Sequence, residues 1–404
     1  MRSRKNSNKA PRVLTSQDVE KFAEECLQEH VPLKETDQKC TADVLWKVLL
    51  WAAARVCSIA AVCRRWRDGL SDQAVYDALD AQLPKRPRIL EKKLNAALVH
   101  RLPRGVLKRA RRVAIDYHEI PYHGEPLKYV NELCRGKPKS GTTKFHAYAT
   151  ACIVEKGHRF TVAYTWVKKG EKQTAVIARL LERMRALGLR IKHLLLDRAF
   201  FNVAMMKYLQ EQRLPFVMPV VMRGRKPKSG RAAKGLRVFR KKRVGWYRHT
   251  MKSKTQEVTF SVCVAYKTYL HHRTKKRCKK KLIYAAWGVR GAPRELRELY
   301  RKRFGIETSY RQRREARIRT CTRDPKLRLF YVGIGLLLRN VWVFLHAMMF
   351  ATGNDIHPEP CLEKLRFTDM LEWLADFIKF VLGVEIGYRI DCDTGKRFTT
   401  TGIS

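Results

Sequence analysis

The chain has 404 residues, 45% of them hydrophobic, enough to bury one large core or two to three smaller ones, which excludes a disordered basic tail. Lysine and arginine number 85 against 37 aspartates and glutamates, a formal charge of +48. That excess goes beyond solubility and points to a polyanionic partner, nucleic acid ahead of a membrane.

The eleven cysteines stand singly, without a CxxC pair that would suggest a zinc knuckle. An odd count and no secretory signal fit a reducing cytoplasm, where a nucleoid-associated protein works. Residues 1–13 form a basic polar arm, and from 16 to 101 the pattern is helical, so residues 1–108 are expected as an α-helical, DNA-binding region. Ser16 is the expected cap of the first helix, and TADVLWKVLLWAAAR makes a strongly apolar second one. SIAAVCRRW (58–66), a turn at Gly69, and DQAVYDALDAQL (72–83) capped by Ser71 read as helix-turn-helix. Its second helix either enters a major groove or packs as in any helical hairpin. A linker at 83–88 and one more basic helix follow.

From residue 109 the period changes. RRVAIDYHEIPYHG (111–124) has the β-branched run of a strand, and KFHAYATACIVE with HRFTVAYTWVKK forms a hairpin. GKPKSGTT (136–143) superficially resembles a phosphate loop but lacks the lysine before its threonine pair and follows no obvious buried strand, which excludes nucleotide binding, and it is given no strand of its own in the element order. A helix at 171–189, a strand IKHLLLD at 191–197, a helix at 202–214 and a strand at 215–222 complete the order β–β–β–α–β–α–β. The fold class is therefore α/β, and this is the element order of a ribonuclease-H-like mixed sheet core, with its first part at 109–222.

Residues 223–290 read as a separate, basic, β-rich insertion. Glu257 is its only acidic residue between 223 and 281. A one-sign surface interleaved with Phe239, Trp246, Tyr247, Tyr266 and Tyr269 favours nucleic acid, and Lys241, Lys242 and Arg243 are candidate DNA contacts. Residues 291–352 complete the core. PRELRELYRKRFGIETSYRQRREARIR (293–319) is expected as one helix, opened by Pro293 and weakened only at Gly305. Measured from Tyr300 at about 100° per residue, Arg303, Glu307 and Arg314 fall at about 300°, 340° and 320°, on one narrow face. The stretch 329–351 has the length of a membrane span, but Arg339 and Asn340 near its centre make it a buried core helix. Residues 353–404 form a helical tail whose segment 367–383 suits packing or dimerisation.

Asp116 lies in the first strand of this unit and Asp197 closes the fourth, and those strands can be neighbours. Joined by Glu307, three carboxylates in a basic protein repel one another unless divalent metal neutralises them. Two Mg²⁺ ions, or Mn²⁺ in their place, would activate a water and stabilise a leaving oxygen at a phosphodiester. Glu119 competes with Asp116 for the first position.

On these residues the sequence resembles the DDE transposases of prokaryotic insertion sequences, in the group with a Y-x2-R-x3-E-x6-K signature. Here the signature reads Tyr300, Arg303, Glu307 and Arg314, with arginine in place of the usual lysine. DRAF (197–200) matches the group's D-R-x-[FY] pattern, and AIDYHEIPYHG is a looser match around Asp116. The resemblance implies cut-and-paste transposition at terminal inverted repeats by a homodimer on DNA. It makes Asp116, Asp197 and Glu307 the metal ligands and puts Tyr300, Arg303 and Arg314 at transposon-end DNA, with Arg198 a further candidate DNA contact. An inactivated or domesticated transposase acting as a DNA-binding protein, and a nuclease on the same core, are the alternatives.

Overall fold

The structure, a computed structural model, describes residues 13–66, 69–125, 132–155, 158–224, 232–306, 315–349, 351–352, 359–360, 364–384, 389–390 and 397–398. The chain divides into two compact units. One comprises Met1–Arg101, Gln312–Thr322 and Lys326–Ser404, and the other Leu102–Arg311 with Arg323–Pro325.

The first unit opens with α1 (Ser16–His30), α2 (Ala42–Ala54), α3 (Ile59–Arg65), α4 (Asp72–Gln82) and α5 (Pro87–Val99). The cap of α1 is Thr15 rather than Ser16. Its hydroxyl accepts from the Asp18 amide at 3.2 Å while its own amide donates to the Asp18 carboxylate at 2.8 Å, a reciprocal capping box. Ser71 caps α4 as expected. Gly69 holds the turn before α4 because a Cβ there would overlap the Trp66 ring at 2.0 Å. The groove-reading role for α4 finds no support in its surface. It contains no lysine or arginine, and its exposed positions include neutral Gln73 and the carboxylate of Asp77, which offer phosphate no cation.

The second unit opens with α6 (Arg104–Leu107) and is built on one nine-stranded sheet. Its strands are β1 (Arg111–Pro121), β2 (Cys134–Lys139), β3 (Thr142–Ile153), β4 (Thr161–Val167), β5 (Ile191–Leu196), β6 (Phe216–Pro219), β7 (Gly245–Lys252), β8 (Glu257–Leu270) and β9 (Arg277–Trp287). The order is β2-β3-β1-β5-β6-β9-β8-β7, with β4 also pairing β3. β3 runs antiparallel to β1 and β4, whereas β5 is parallel to β1 and β6 to β5. That is the ribonuclease-H-like arrangement expected from the sequence.

Two features differ from expectation. The stretch at 134–143 forms β2 and a tight hairpin into β3, closed by Ser140 and Gly141 with φ of 51° and 77°. Left-handed backbone at both turn positions is the conformation such two-residue hairpins require. The basic insertion is also not separate from the sheet. β9 pairs antiparallel with β6 from Phe216↔Trp287 to Pro219↔Tyr284, covering an edge that would otherwise expose unpaired amides. β7 pairs β8 only as far as Val264, but β8 and β9 continue together to Leu270↔Arg277 as a two-stranded ribbon.

Helix α7 (Gln173–Ala186) packs over β3 and β4, and α8 (Val203–Glu211) over β8. Alternation along the strands sends Ala114, Leu195, Val217, Cys263, Ala265 and Ala286 to the sheet face covered by Leu296 and Tyr300 of α9 (Pro293–Arg301). The single helix expected over 293–319 is interrupted. After Arg301 the chain turns through Lys302 and Arg303, whose amides bond three residues back to Leu299 and Tyr300 at 3.2 and 3.0 Å.

The chain then returns to the helical unit. α10 (Pro325–Met349) is long and apolar enough to cross a membrane, yet 94% of its apolar window is buried, as a core helix requires. Asn340 donates to the Leu98 carbonyl at 2.9 Å, and Arg339 is buried. In α11 (Phe367–Val381) the apolar stripe of Phe367, Met370, Leu371, Leu374 and Ile378 is buried, and the helix packs on α1 and α2. Of the two uses expected for this helix, packing is the one that its apolar stripe shows.

Lys47 is the one lysine sunk into α2, 3.1 Å from Glu20 and also paired with Asp43. Glu24 beside them is pushed up to about 7, first by burial and then by its neighbour Glu20. A carboxyl raised in the folded state binds more protons there than in the unfolded chain between about pH 4.5 and 7. Its stabilising contribution is therefore present at low pH and lost as pH rises through about 7. Glu24→Gln should flatten this part of the stability profile in urea melts from pH 4 to 9 and stabilise the protein most at the alkaline end. An unchanged profile would contradict this.

Candidate active site

The pairing of β1 with β5 ends at Ile115↔Leu196. One step further on each strand stands an aspartate, Asp116 and Asp197. Parallel neighbouring strands in matched register thus deliver two carboxylates to one place, just where the ladder stops. β1 has β3 on its other side and runs on to Pro121, so the site lies where the strand order turns, at the end of the β1–β5 ladder and the carboxyl end of β5. Open α/β sheets have their natural crevice there.

Period two along β1 and β5 puts Asp116 with Ala114 and Asp197 with Leu195, on the face packed by α9. From that side comes Arg303. Its Nη1 donates to Asp116 Oδ2 at 3.2 Å, and its Nη2 lies 3.8 Å from Asp197 Oδ1. The first is a charge-assisted hydrogen bond and the second a close Coulombic contact. The Arg303 side chain is only 7% exposed, against 18% for Asp116 and 40% for Asp197.

Each partner is held from behind. Asp116 Oδ1 also accepts from the Tyr117 amide at 2.9 Å. Asp197 begins a 3-10 turn over Arg198–Phe200, in which Phe200 is buried and stacks on the Tyr117 ring at 5.1 Å. The DRAF stretch therefore divides its labour: Asp197 faces the site, Arg198 is exposed, and Phe200 anchors the turn. Tyr300 is buried, and its hydroxyl donates to the Leu196 carbonyl at 3.1 Å, tying α9 to the residue before Asp197. Burial raises the Tyr300 hydroxyl well above its ordinary range, so it stays protonated as a donor. Such a bond is worth about 0.5–1.5 kcal/mol, and the Arg303 guanidinium, 5.7 Å from the same ring, is positioned by it.

Of the sequence candidates, the structure brings Asp116, Asp197, Tyr300 and Arg303 together. Glu307 and Arg314 lie outside the described residues. Glu119 sits on the opposite face of β1, near Gly136 of β2, and so does not replace Asp116. Tyr300 and Arg303, expected at transposon-end DNA, are interior here. Lys241, Lys242 and Arg243 are exposed, away from the carboxylates in sequence and on the insertion. The interior role of Arg303 was missed. The signal available was its placement near Tyr300 on the helical wheel, next to the very carboxylates a basic chain must neutralise.

Donor chemistry can be tested for fit to a divalent ion. The pair offers hard carboxylate oxygens, and a cation already bridges them, the guanidinium. A positive charge is what this geometry accommodates, and Mg²⁺ or Mn²⁺ suits such oxygens. Among the described residues, the three-acid cluster compact enough for an ion lies elsewhere, at Glu20, Glu24 and Asp43, and it encloses the Lys47 ammonium.

A family model described as "Transposase DDE domain" matches residues 108–334, more than half of the chain. No curated protein matches it. Among solved structures, it is similar to the piggyBac transposase synaptic complex with hairpin DNA, at 14% identity and a TM-score of 0.44, covering 94% of this chain and 76% of that one. It is also similar to a pre-cleavage Mos1 transpososome, at 14% identity and a TM-score of 0.16, covering 53% and 61%. The assignment rests on the family match, whose span takes in β1, β5, α9 and both aspartates: the chain belongs to the DDE-domain transposase family.

Proposed function

We propose that this protein is a DNA transposase that binds terminal inverted repeats and carries out metal-dependent strand cleavage and strand transfer in cut-and-paste fashion, as a homodimer on DNA. The observation that carries the reading is the pair of aspartates at matched register on adjacent parallel strands, bridged by one guanidinium. Glu307, five residues after the turn at Lys302, is the proposed third carboxylate.

Asp116 and Asp197, with Glu307, would supply carboxylate oxygens to Mg²⁺, two ions in this proposal, with Mn²⁺ able to substitute. Bound there, the metal would activate a water and stabilise the leaving oxygen at a phosphodiester. The chain's own part is positioning. Tyr300 fixes α9 against the end of β5, and exposed Arg198 beside Asp197 is suited to a phosphate of the strand being cut.

DNA binding is supported by the ribbon of β8 and β9. Residues 266–281 carry eight lysines and arginines and no carboxylate, and Tyr269 and Leu270 at its far end are exposed. An unbalanced cationic ribbon of two strands has the width that a major groove admits.

Two measurements test this. Asp116→Asn, Asp197→Asn and Glu307→Gln should each retain gel-shift binding to an inverted-repeat duplex in Ca²⁺. Their cleavage in Mg²⁺ or Mn²⁺ should fall by a factor of about 100 or more. A variant that cleaves like the parent removes that residue from the site. Separately, replacing Arg277, Lys279 and Lys280 with serine should lower the slope of log K against log salt by roughly 0.9 for each phosphate no longer neutralised. An unaltered slope would mean that the ribbon does not touch DNA.

A further inference from the structure

We infer that Arg303 is the resident counter-cation of the Asp116–Asp197 pair, and that a divalent ion entering the pair must displace it. This rests on reading the two aspartates as metal ligands and goes further, because it couples metal binding to a movement of a named side chain.

Three observations carry it. One fork of nitrogens faces both carboxylates, at 3.2 Å and 3.8 Å, so the guanidinium stands in the space where an ion shared by them would sit. The group is held inside, 7% exposed, whereas Arg301 two residues earlier is 66% exposed and pairs with Glu298. A guanidinium does not lose its proton in a protein, so its charge leaves the site only if the side chain moves. Finally, its backbone lies in the turn at 302–303, between α9 and the helical residues 304–306, rather than in a continuous helix. The amides of Arg303, Gly305 and Ile306 bond three residues back, at 3.0, 3.0 and 2.9 Å. Tightened turns of that kind within a helical stretch often mark hinges.

Two cations competing for one carboxylate pair bind with opposed occupancies. The apparent metal affinity is the intrinsic one reduced by the fraction of molecules in which Arg303 is away. A displaced guanidinium beside the pair is a bidentate donor suited to phosphate. DNA that engages it would therefore favour metal entry, and by linkage metal would favour DNA.

The test is calorimetric titration with Mn²⁺ in the absence of DNA, on the full chain and four variants. Arg303→Met removes the charge while keeping an unbranched stem and should bind Mn²⁺ about ten-fold more tightly than the parent. Arg303→Lys, able to face only one carboxylate at a time, should fall between them, and the exposed control Arg301→Met should match the parent. Asp116→Asn should abolish binding at this site. With metal chelated, Arg303→Met should melt below the parent, since two carboxylates then face each other uncompensated, and should gain more in melting temperature from added Mn²⁺. Equal or weaker Mn²⁺ binding by Arg303→Met, with Asp116→Asn inactive in binding, overturns the displacement while leaving the metal site standing. Full binding by Asp116→Asn overturns the metal site itself. If Arg303→Met does not fold, Arg303→Lys decides: affinity equal to the parent overturns the proposal.

Discussion

A guanidinium lying between two carboxylates sets the terms for the sheet-bearing unit. Two unit charges of like sign about 5 Å apart repel by roughly 3 kcal/mol at an effective dielectric constant of 20. Parallel strands in matched register nevertheless bring Asp116 and Asp197 to the same edge, and the ladder itself brings no cation to them. Arg303 does so from the third side, and it can because α9 is pinned by Leu296 in the core and by the Tyr300 hydroxyl on the Leu196 carbonyl. The strand register, the helix placement and the buried charge thus depend on one another. Removing the carboxylates would leave the guanidinium, 7% exposed, without its two counter-charges, the costly way to break such a pair.

The remaining charge is distributed differently from this balanced centre. Cations at 266–281 of the insertion lie on an exposed ribbon with no carboxylate in that stretch, whereas Arg303 beside the aspartates and Lys47 in α2 are paired. Lys47 with Glu20 and Asp43 shows the same device in the helical unit, where acids surround a cation as packing rather than as a ligand set. The proposed division between holding DNA and cutting it follows this contrast between unbalanced surface charge and neutralised interior charge.

Much of this was legible in the sequence because it depends on short-range pattern. Apolar runs ending in Asp116 and Asp197 revealed the strands and their order, and alternation of two along them already determined which face each aspartate takes. What escaped depended on context. The strand at 134–139 is polar and mostly exposed, so it lacks the periodicity that marks a strand, and only the Ser140–Gly141 turn chemistry hinted at it. The continuity of the insertion with the sheet follows from long-range pairing of β9 with β6, which no local signal encodes. The break after Arg301 was underestimated because helical propensity alone favours continuation through Lys302 and Arg303. The wheel put Arg303 on one face with Tyr300 and Glu307, and only the family resemblance assigned it to DNA, whereas its guanidinium faces the aspartates. In α4, by contrast, the lack of any lysine or arginine was readable from the start and argues against a groove-binding helix.

The central claim is that Asp116 and Asp197 form one cation site, held by Arg303 until a divalent ion takes it. Anomalous diffraction from crystals of the full chain grown with Mn²⁺ tests it most directly. An anomalous peak is expected about 2.1 Å from oxygens of both aspartates, with the Arg303 guanidinium moved off the pair. A peak at Glu20, Glu24 and Asp43 instead, or Mn²⁺ bound with Arg303 still bridging the two aspartates, would contradict it.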